Sequence, residues 1–261
     1  MPALLILITL LGLAVGSFLN VVVHRVPKGL SLIAPASSCP HCGHPIRARH
    51  NVPVLGWLLL RGRCADCGAP IGPRYPLVEA GTGALFLVLA LWFSHLHLLS
   101  ALPAYLWFAA AGLALALIDL DVRRLPNAIV LPSYPVLAAL LALSAAVQHD
   151  WWSLARAAAG AAALFAFYLL LGLIHPRGMQ FGDVKLAGLL GLVLGYLSWP
   201  TLILGAFGGF LLGALAGVAL LAAGRGSGKT AVPFGPFMIT AALLAVFLSP
   251  SLDRLSEWWT S

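Results

Sequence analysis

The chain is poor in charge and poorer still in acids: 15 of its 261 residues are Lys or Arg and only 8 are Asp or Glu. Soluble domains carry about 25% charged residues, so a charged share of 9% beside 61% hydrophobic residues excludes that class. Short strands of alternating polarity are missing as well, which excludes a transmembrane β-barrel. There is no internal repeat, no low-complexity tract, and no cysteine beyond the four between 39 and 67. The net charge of +7 raises nucleic acid as a partner. In so apolar a chain, however, basic residues flank membrane segments, and no nucleic-acid partner is expected.

What is present is apolar length. At about 20 residues per crossing, 61% of 261, or roughly 159 residues, supplies about eight helices. Apolar segments run over 2–23, 77–93, 101–120, 127–147, 152–174, 183–198, 200–223 and 231–249. The sixth is short, rich in Gly188, Gly191 and Gly195, and broken by Ser198, Trp199 and Pro200. Basic residues fall into alternate connections: seven between 25 and 74, then Arg123 and Arg124, Arg177 and Lys185, Arg225 and Lys229. The connections near 94–100, 144–151 and 198–200 have none. The positive-inside rule then puts the basic loops in the cytoplasm and both termini outside, and it requires the sixth segment to be a crossing. With no basic residue before it and Arg25 after it, the first segment reads as a retained anchor rather than a cleaved signal. The expectation is an all-α polytopic membrane protein of the lipid bilayer. It divides into a first span 1–23, a cytoplasmic loop domain 24–76, a seven-helix membrane domain 77–249 and an outward tail 250–261.

The loop domain is too small for a large core, and domains of this size need a staple. Cys39-Pro-His-Cys42 and Cys64-Ala-Asp-Cys67 form a paired C-x2-C pattern with 21 residues between the pairs, the spacing of a four-thiolate zinc site. Gly43 and Gly68 follow the two knuckles, where a tight turn needs a permissive backbone. Four thiolates would close the coordination sphere, making Zn2+ structural. His41 or His44 in place of one thiolate, two disulfides, or free thiols are the alternatives, and a cytoplasmic loop disfavours disulfides.

The eight acids are Asp66, Glu79, Asp119, Asp121, Asp150, Asp183, Asp253 and Glu257. Asp66, Asp150, Asp253 and Glu257 are expected to be solvated. Glu79, Asp119, Asp121 and Asp183 fall at cytoplasmic ends of membrane helices, where an ionisable group is a functional candidate. Asp119 and Asp121 are about 200° apart on a helix and cannot face one site together. Asp183 lies at the same expected depth, so a pair of carboxylates sharing a proton, one the base on water and one the acid, is available for hydrolysis. The bland readings are a helix cap for Asp183 and a snorkelling partner of Arg123 or Arg124 for Asp121.

At this point the chain resembles the bacterial type IV prepilin peptidases, membrane aspartic proteases of the GxGD class. The residues that carry the likeness are Gly16-Ser-Phe-Leu-Asn-Val-Val-Val-His-Arg-Val-Pro27, the paired cysteines, Arg61-Gly-Arg-Cys64, Pro73-Arg-Tyr-Pro-Leu-Val-Glu79, the Asp119/Asp121 segment and Gly182-Asp-Val-Lys-Leu186. The resemblance implies cleavage of the basic leader of prepilins and pseudopilins after a Gly, at the cytoplasmic face of the bacterial inner membrane, with catalytic aspartates at Asp121 and Asp183. It also implies S-adenosylmethionine-dependent N-methylation of the new terminus, associated with the loop domain. Glu79 is the candidate to bind cofactor or amine, though helix-start electrostatics explains it equally well. Asn20, His24 and Arg25 are candidates to line the same mouth. Two departures stand out: Gln180 where the first Gly of GxGD belongs, with Gly178 upstream, and Asn127 where an acid follows Leu-Pro.

Ala223-Gly-Arg-Gly-Ser-Gly-Lys-Thr230 imitates a phosphate-binding loop, but it joins two membrane spans and follows no strand. The competing function is a proton- or ion-coupled transporter using the same acids.

Overall fold

The structure, a computed structural model, describes residues 2–175, 179–224 and 232–260, the last eleven as backbone only. Arg177, Gly178 and all but Ala223 and Gly224 of the phosphate-loop imitation lie outside the described residues. Among the described residues the regular structure is helical, apart from two isolated bridges in the loop domain. The helices are α1 (Pro2–Arg25), α2 (Leu55–Leu59), α3 (Arg74–His95), α4 (Leu102–Val122), α5 (Asn127–Gln148), α6 (Trp151–Ile174), α7 (Phe181–Leu197), α8 (Trp199–Ala222) and α9 (Gly235–Thr260). The eight apolar segments correspond one to one with α1 and α3–α9. Six helices, α1, α3, α4, α5, α6 and α8, are long and apolar enough to cross a membrane, and Gly235–Ser249 of α9 is a shorter apolar stretch.

The chain divides into two compact units, Met1–Leu99 and Ser100–Ser261, so α3 is grouped with α1 and the loop domain. In the first unit α1 and α3 pack together along glycines. Gly12 and Gly16 are four residues apart on one face of α1. A Cβ at Gly16 would lie 2.7 Å from the Cα of Glu79, and one at Gly12 would lie 2.9 Å from the Cα of Gly83. Backbones that approach so closely gain dispersion contact without help from the hydrophobic effect, which is absent in lipid. α1 passes directly into one 3-10 turn, Val26–Lys28, with Pro27 inside it, and the chain turns away at Gly29, left-handed at φ +66°.

In the second unit α7 is the central element. Asp183, Val184 and every residue from Leu186 to Tyr196 are buried, and α7 packs against α4, α5, α6, α8 and α9. A helix covered on all sides has no polar face to show. The glycines that make its segment look weak form its seam with α6: a Cβ at Gly191 would overlap the Gly160 carbonyl, and one at Gly195 would lie 2.9 Å from the Arg156 carbonyl.

The far end of α7 is closed by Arg156 of α6. Its guanidinium donates to the carbonyls of Gly195 (2.7 Å), Tyr196 (2.6 Å) and Leu197 (2.7 Å), and to Ser153 Oγ (3.0 Å). These are the carbonyls a helix leaves without internal partners, and the cation sits at the negative end of the dipole. The Ser198-Trp199-Pro200 break is a helix start: Ser198 Oγ accepts from the Thr201 N–H, and Pro200 occupies the first turn of α8. Asp150 caps α6 by accepting from the Ser153 N–H at 3.1 Å. Hydrogen bonding from the Ser153 hydroxyl holds its carboxyl below the usual range.

Candidate active site and metal centre

In the loop domain the two knuckles fold alike. The Cys39 and Cys64 amides donate to the His44 and Ala69 carbonyls at 3.0 and 2.8 Å, and the Gly43 and Gly68 amides return to the Cys39 and Cys64 carbonyls at 2.9 and 3.0 Å. Gly43 and Gly68 have φ of +72° and +71°, the left-handed turn expected at both. Each knuckle thereby aims two thiols at one point, and all four Sγ atoms lie within 4.8 Å of one another, with Cys39 Sγ and Cys67 Sγ 3.8 Å apart. A tetrahedral site with bonds of about 2.3 Å has ligand edges of about 3.8 Å. The four cysteines therefore fit a metal ion, and no disulfide joins them. The Cys42 amide, followed by that of His41, draws the Cys39 thiol down to about 6, while the Cys42 and Cys67 thiols beside it are pushed up.

Other contacts brace this domain. Arg47, after the first knuckle, pairs with Asp66 inside the second at 2.8 Å; Asp66, expected to be solvated, is an intramolecular ion-pair partner. Arg25 donates to the carbonyls of Ser31 (2.9 Å) and Pro35 (2.7 Å), and the Trp57 indole to that of Ile71 (3.0 Å). Glu79, buried near the start of α3, accepts the Val54 N–H at 2.6 Å. Val54 has φ +60°, a strained value for a β-branched residue, so the carboxylate holds the loop in that turn. Asn20 donates to the Tyr75 carbonyl at 3.2 Å, tying α1 to α3. His24 lies beside Lys28.

In the second unit the acids separate. Asp119 is 5% exposed and Asp183 7% exposed, whereas Asp121, the residue expected beside Asp183, is exposed at the last turn of α4. The 200° of rotation between positions 119 and 121 turns Asp119 inward and Asp121 out. Leu125 lies against both Gly182, the neighbour of Asp183, and Gly235, whose N–H Asp119 accepts, so the structure brings Asp119 and Asp183 to one place.

Both carboxylates are held by amides at helix starts. Asp183 Oδ2 accepts the Gln180 N–H at 3.0 Å, one half of a capping box in which the Gln180 side chain serves the Asp183 amide. The cap reading of Asp183 therefore holds alongside its inward placement, and Gln180 at the departure from GxGD supplies the cap. Asp119 Oδ2 accepts the Gly235 N–H at 3.0 Å, from the first residue of α9. Helix-start amides lack internal partners and carry the positive end of the dipole, which suits a carboxylate. Among the described residues each carboxylate makes this one hydrogen bond, through its Oδ2.

Leu125 fixes the spacing. α4 stops at Arg123, which is left-handed at φ +53° and returns its N–H to the Asp119 carbonyl. The turned chain lays Leu125 between two glycines: a Cβ at Gly182 would lie 3.1 Å from it, and one at Gly235 3.2 Å. At Gly235 the same Cβ would lie 2.8 Å from Asp119 Oδ2. Gly235 is the functional position sequence reasoning misses. Its signal is the run Pro233-Phe-Gly-Pro236, a glycine between prolines near the start of the last apolar segment. Asn127, the other departure, accepts from Lys185 Nζ at 2.9 Å.

Comparison with known proteins follows the same division. Residues 10–93 match the family model for the bacterial peptidase A24 N-terminal domain, and residues 106–249 that for the type IV leader peptidase family. A protein of Pseudomonas putida named prepilin leader peptidase/N-methyltransferase is 41% identical, covering 92% of this chain and 89% of that relative. Proteins of the same name from Pseudomonas aeruginosa (36% identical, 94% of this chain, 90% of the relative) and Aeromonas hydrophila (34%, 95% and 92%) are also similar. No solved structure matches the chain significantly.

Proposed function

Because the chain belongs to the type IV leader peptidase family, we propose that it is a multi-pass inner-membrane enzyme that removes the leader of prepilins and pseudopilins and N-methylates the new terminus, with Asp119 and Asp183 as its aspartyl pair. The observation that carries the choice of acids is that both are buried, sit on separate helices, and each have one oxygen tied to a helix-start amide. Burial favours Asp119 for the role expected of Asp121, which is exposed and about 200° away on α4. One carboxylate accepts a proton from water as that water attacks the peptide carbonyl, and the other protonates the departing amine. Cleavage follows a Gly at the cytoplasmic face, the side to which the basic loops assign this end of the helices. The basic leader then meets anionic headgroups while the apolar segment stays in the bilayer.

Cys39, Cys42, Cys64 and Cys67 would hold Zn2+, which supplies a cross-link between the knuckles and no open position for substrate. S-adenosylmethionine is the methyl donor, and Glu79 is the acid of this unit proposed to face the donor or the new amine, through the oxygen not bound to Val54.

The test is cleavage of a prepilin-type substrate in detergent with S-adenosylmethionine present and product masses recorded. Asp119→Asn and Asp183→Asn are expected to abolish cleavage, Asp121→Asn to retain it, and the wild-type product to gain one methyl group. Loss of cleavage in Asp121→Asn with full activity in Asp119→Asn would overturn the assignment.

A further inference from the structure

α5, α6 and α7 enclose an open groove of about 470 Å³, lined by Leu131 and Tyr134, by Ala161, Ala162 and Phe165, and by Phe181 and Lys185. Its walls are apolar, and its charge is a single cation. Lys185 Nζ stands 4.7 Å from the centroid of the Phe181 ring and 2.9 Å from Asn127 Oδ1. No carboxylate among the described residues lies within ion-pair distance of it. Lys185 follows Asp183 by two residues, or about 200° of helix, so the groove lies across α7 from the acid pair and is separate from the proposed catalytic site. Tyr134, which donates to the Lys185 carbonyl at 2.6 Å, packs over Gly188, where a Cβ would overlap its hydroxyl. The glycine thus keeps the groove wall against α7.

We infer that this groove binds one anionic glycerophospholipid, with an acyl chain along Leu131, Ala162 and Phe165 and the phosphate on Lys185. Complementarity argues for that occupant. An apolar slot ending in an ammonium whose contacts are a neutral amide and an aromatic ring, with no carboxylate among the described residues to balance its charge, matches a molecule with an apolar tail and an anionic head. A neutral lipid would leave the charge unanswered, and a soluble phosphate would leave the slot unfilled.

The experiment is native mass spectrometry of the full-length protein with phosphatidylglycerol or phosphatidylcholine of identical acyl chains, joined to photolabelling by phosphatidylglycerol with a diazirine in its acyl chain. One phosphatidylglycerol is expected to be retained in preference to phosphatidylcholine, with label in 131–134 and 161–165. Lys185→Gln should cut the headgroup preference about fivefold, the effect of one lysine at a membrane surface. Ala162→Phe, an exposed position, should displace the chain and lose the label while the protein stays folded. Equal retention of both lipids, label elsewhere, or unchanged preference in Lys185→Gln would overturn the inference. So would displacement of the lipid by glycerophosphate, which would reduce the site to a phosphate contact, or by a prepilin-type peptide, which would make the groove a substrate channel.

Discussion

Replacing Arg156 by Met keeps an apolar stem of similar length in α6 and removes the guanidinium that closes the far end of α7. Three carbonyl contacts at 2.7, 2.6 and 2.7 Å are lost together with the cation at the negative end of the helix dipole. Hydrogen bonds to a charged group contribute about 1.5–3 kcal/mol each and the dipole up to about 2 kcal/mol, but three bonds to one cation are not additive. A loss of about 2–4 kcal/mol is the expectation, and at about 2–4 °C per kcal/mol for a chain of this size the apparent Tm should fall by roughly 5–15 °C. Arg156→Lys should recover only part of this, since a point ammonium cannot bridge three carbonyls as a planar fork does. The assay is a thermal unfolding scan in detergent at fixed scan rate, with leader cleavage measured well below the transition. Asp183 sits at the opposite end of α7, so cleavage per folded molecule should change little. An unchanged Tm in Arg156→Met, or full recovery in Arg156→Lys, would refute the capping argument.

Gly191→Val, whose first side-chain atom already overlaps the Gly160 carbonyl, should force α6 from α7 and cost at least about 1–3 kcal/mol, read as a lower Tm and reduced folded yield. Cys64→Ser should remove bound metal and loosen the loop domain, checked by metal analysis and limited proteolysis; full metal content would contradict a four-thiolate site. Asp150 contributes stability as its anion, because its folded pKa lies below the unfolded value of about 3.9. That contribution is complete above the unfolded value and disappears as pH falls through the folded one. Asp150→Asn should therefore lower Tm at neutral pH and narrow its gap to wild type in acid; an equal gap throughout would contradict the cap's ionic character.

The number and order of helices were legible because lipid makes hydrophobic length nearly sufficient. The knuckles were legible because ligand spacing and turn glycines are local. The pair of acids was legible only in part. Rotation separates Asp119 from Asp121, but choosing the inward one requires knowing where α9 lies, and Gly235 is 116 residues from Asp119. Arg156 is one of two basic residues, with Arg254, outside the four basic connections. Its partners are three backbone carbonyls about 40 residues on, which no side-chain pattern announces. The glycines of α7, which weaken the segment on hydropathy, mark a close contact with α6.

The amide that steadies Asp119 opens the last helix, so the site has an order of assembly. Asp119 is made with α4, Asp183 three helices later with α7, and Gly235 two helices later again with α9. A ribosome-bound chain that has inserted both acids still lacks the donor that orients the first. In the reading proposed above, the acid pair is therefore not oriented until the first residue of α9 has been made.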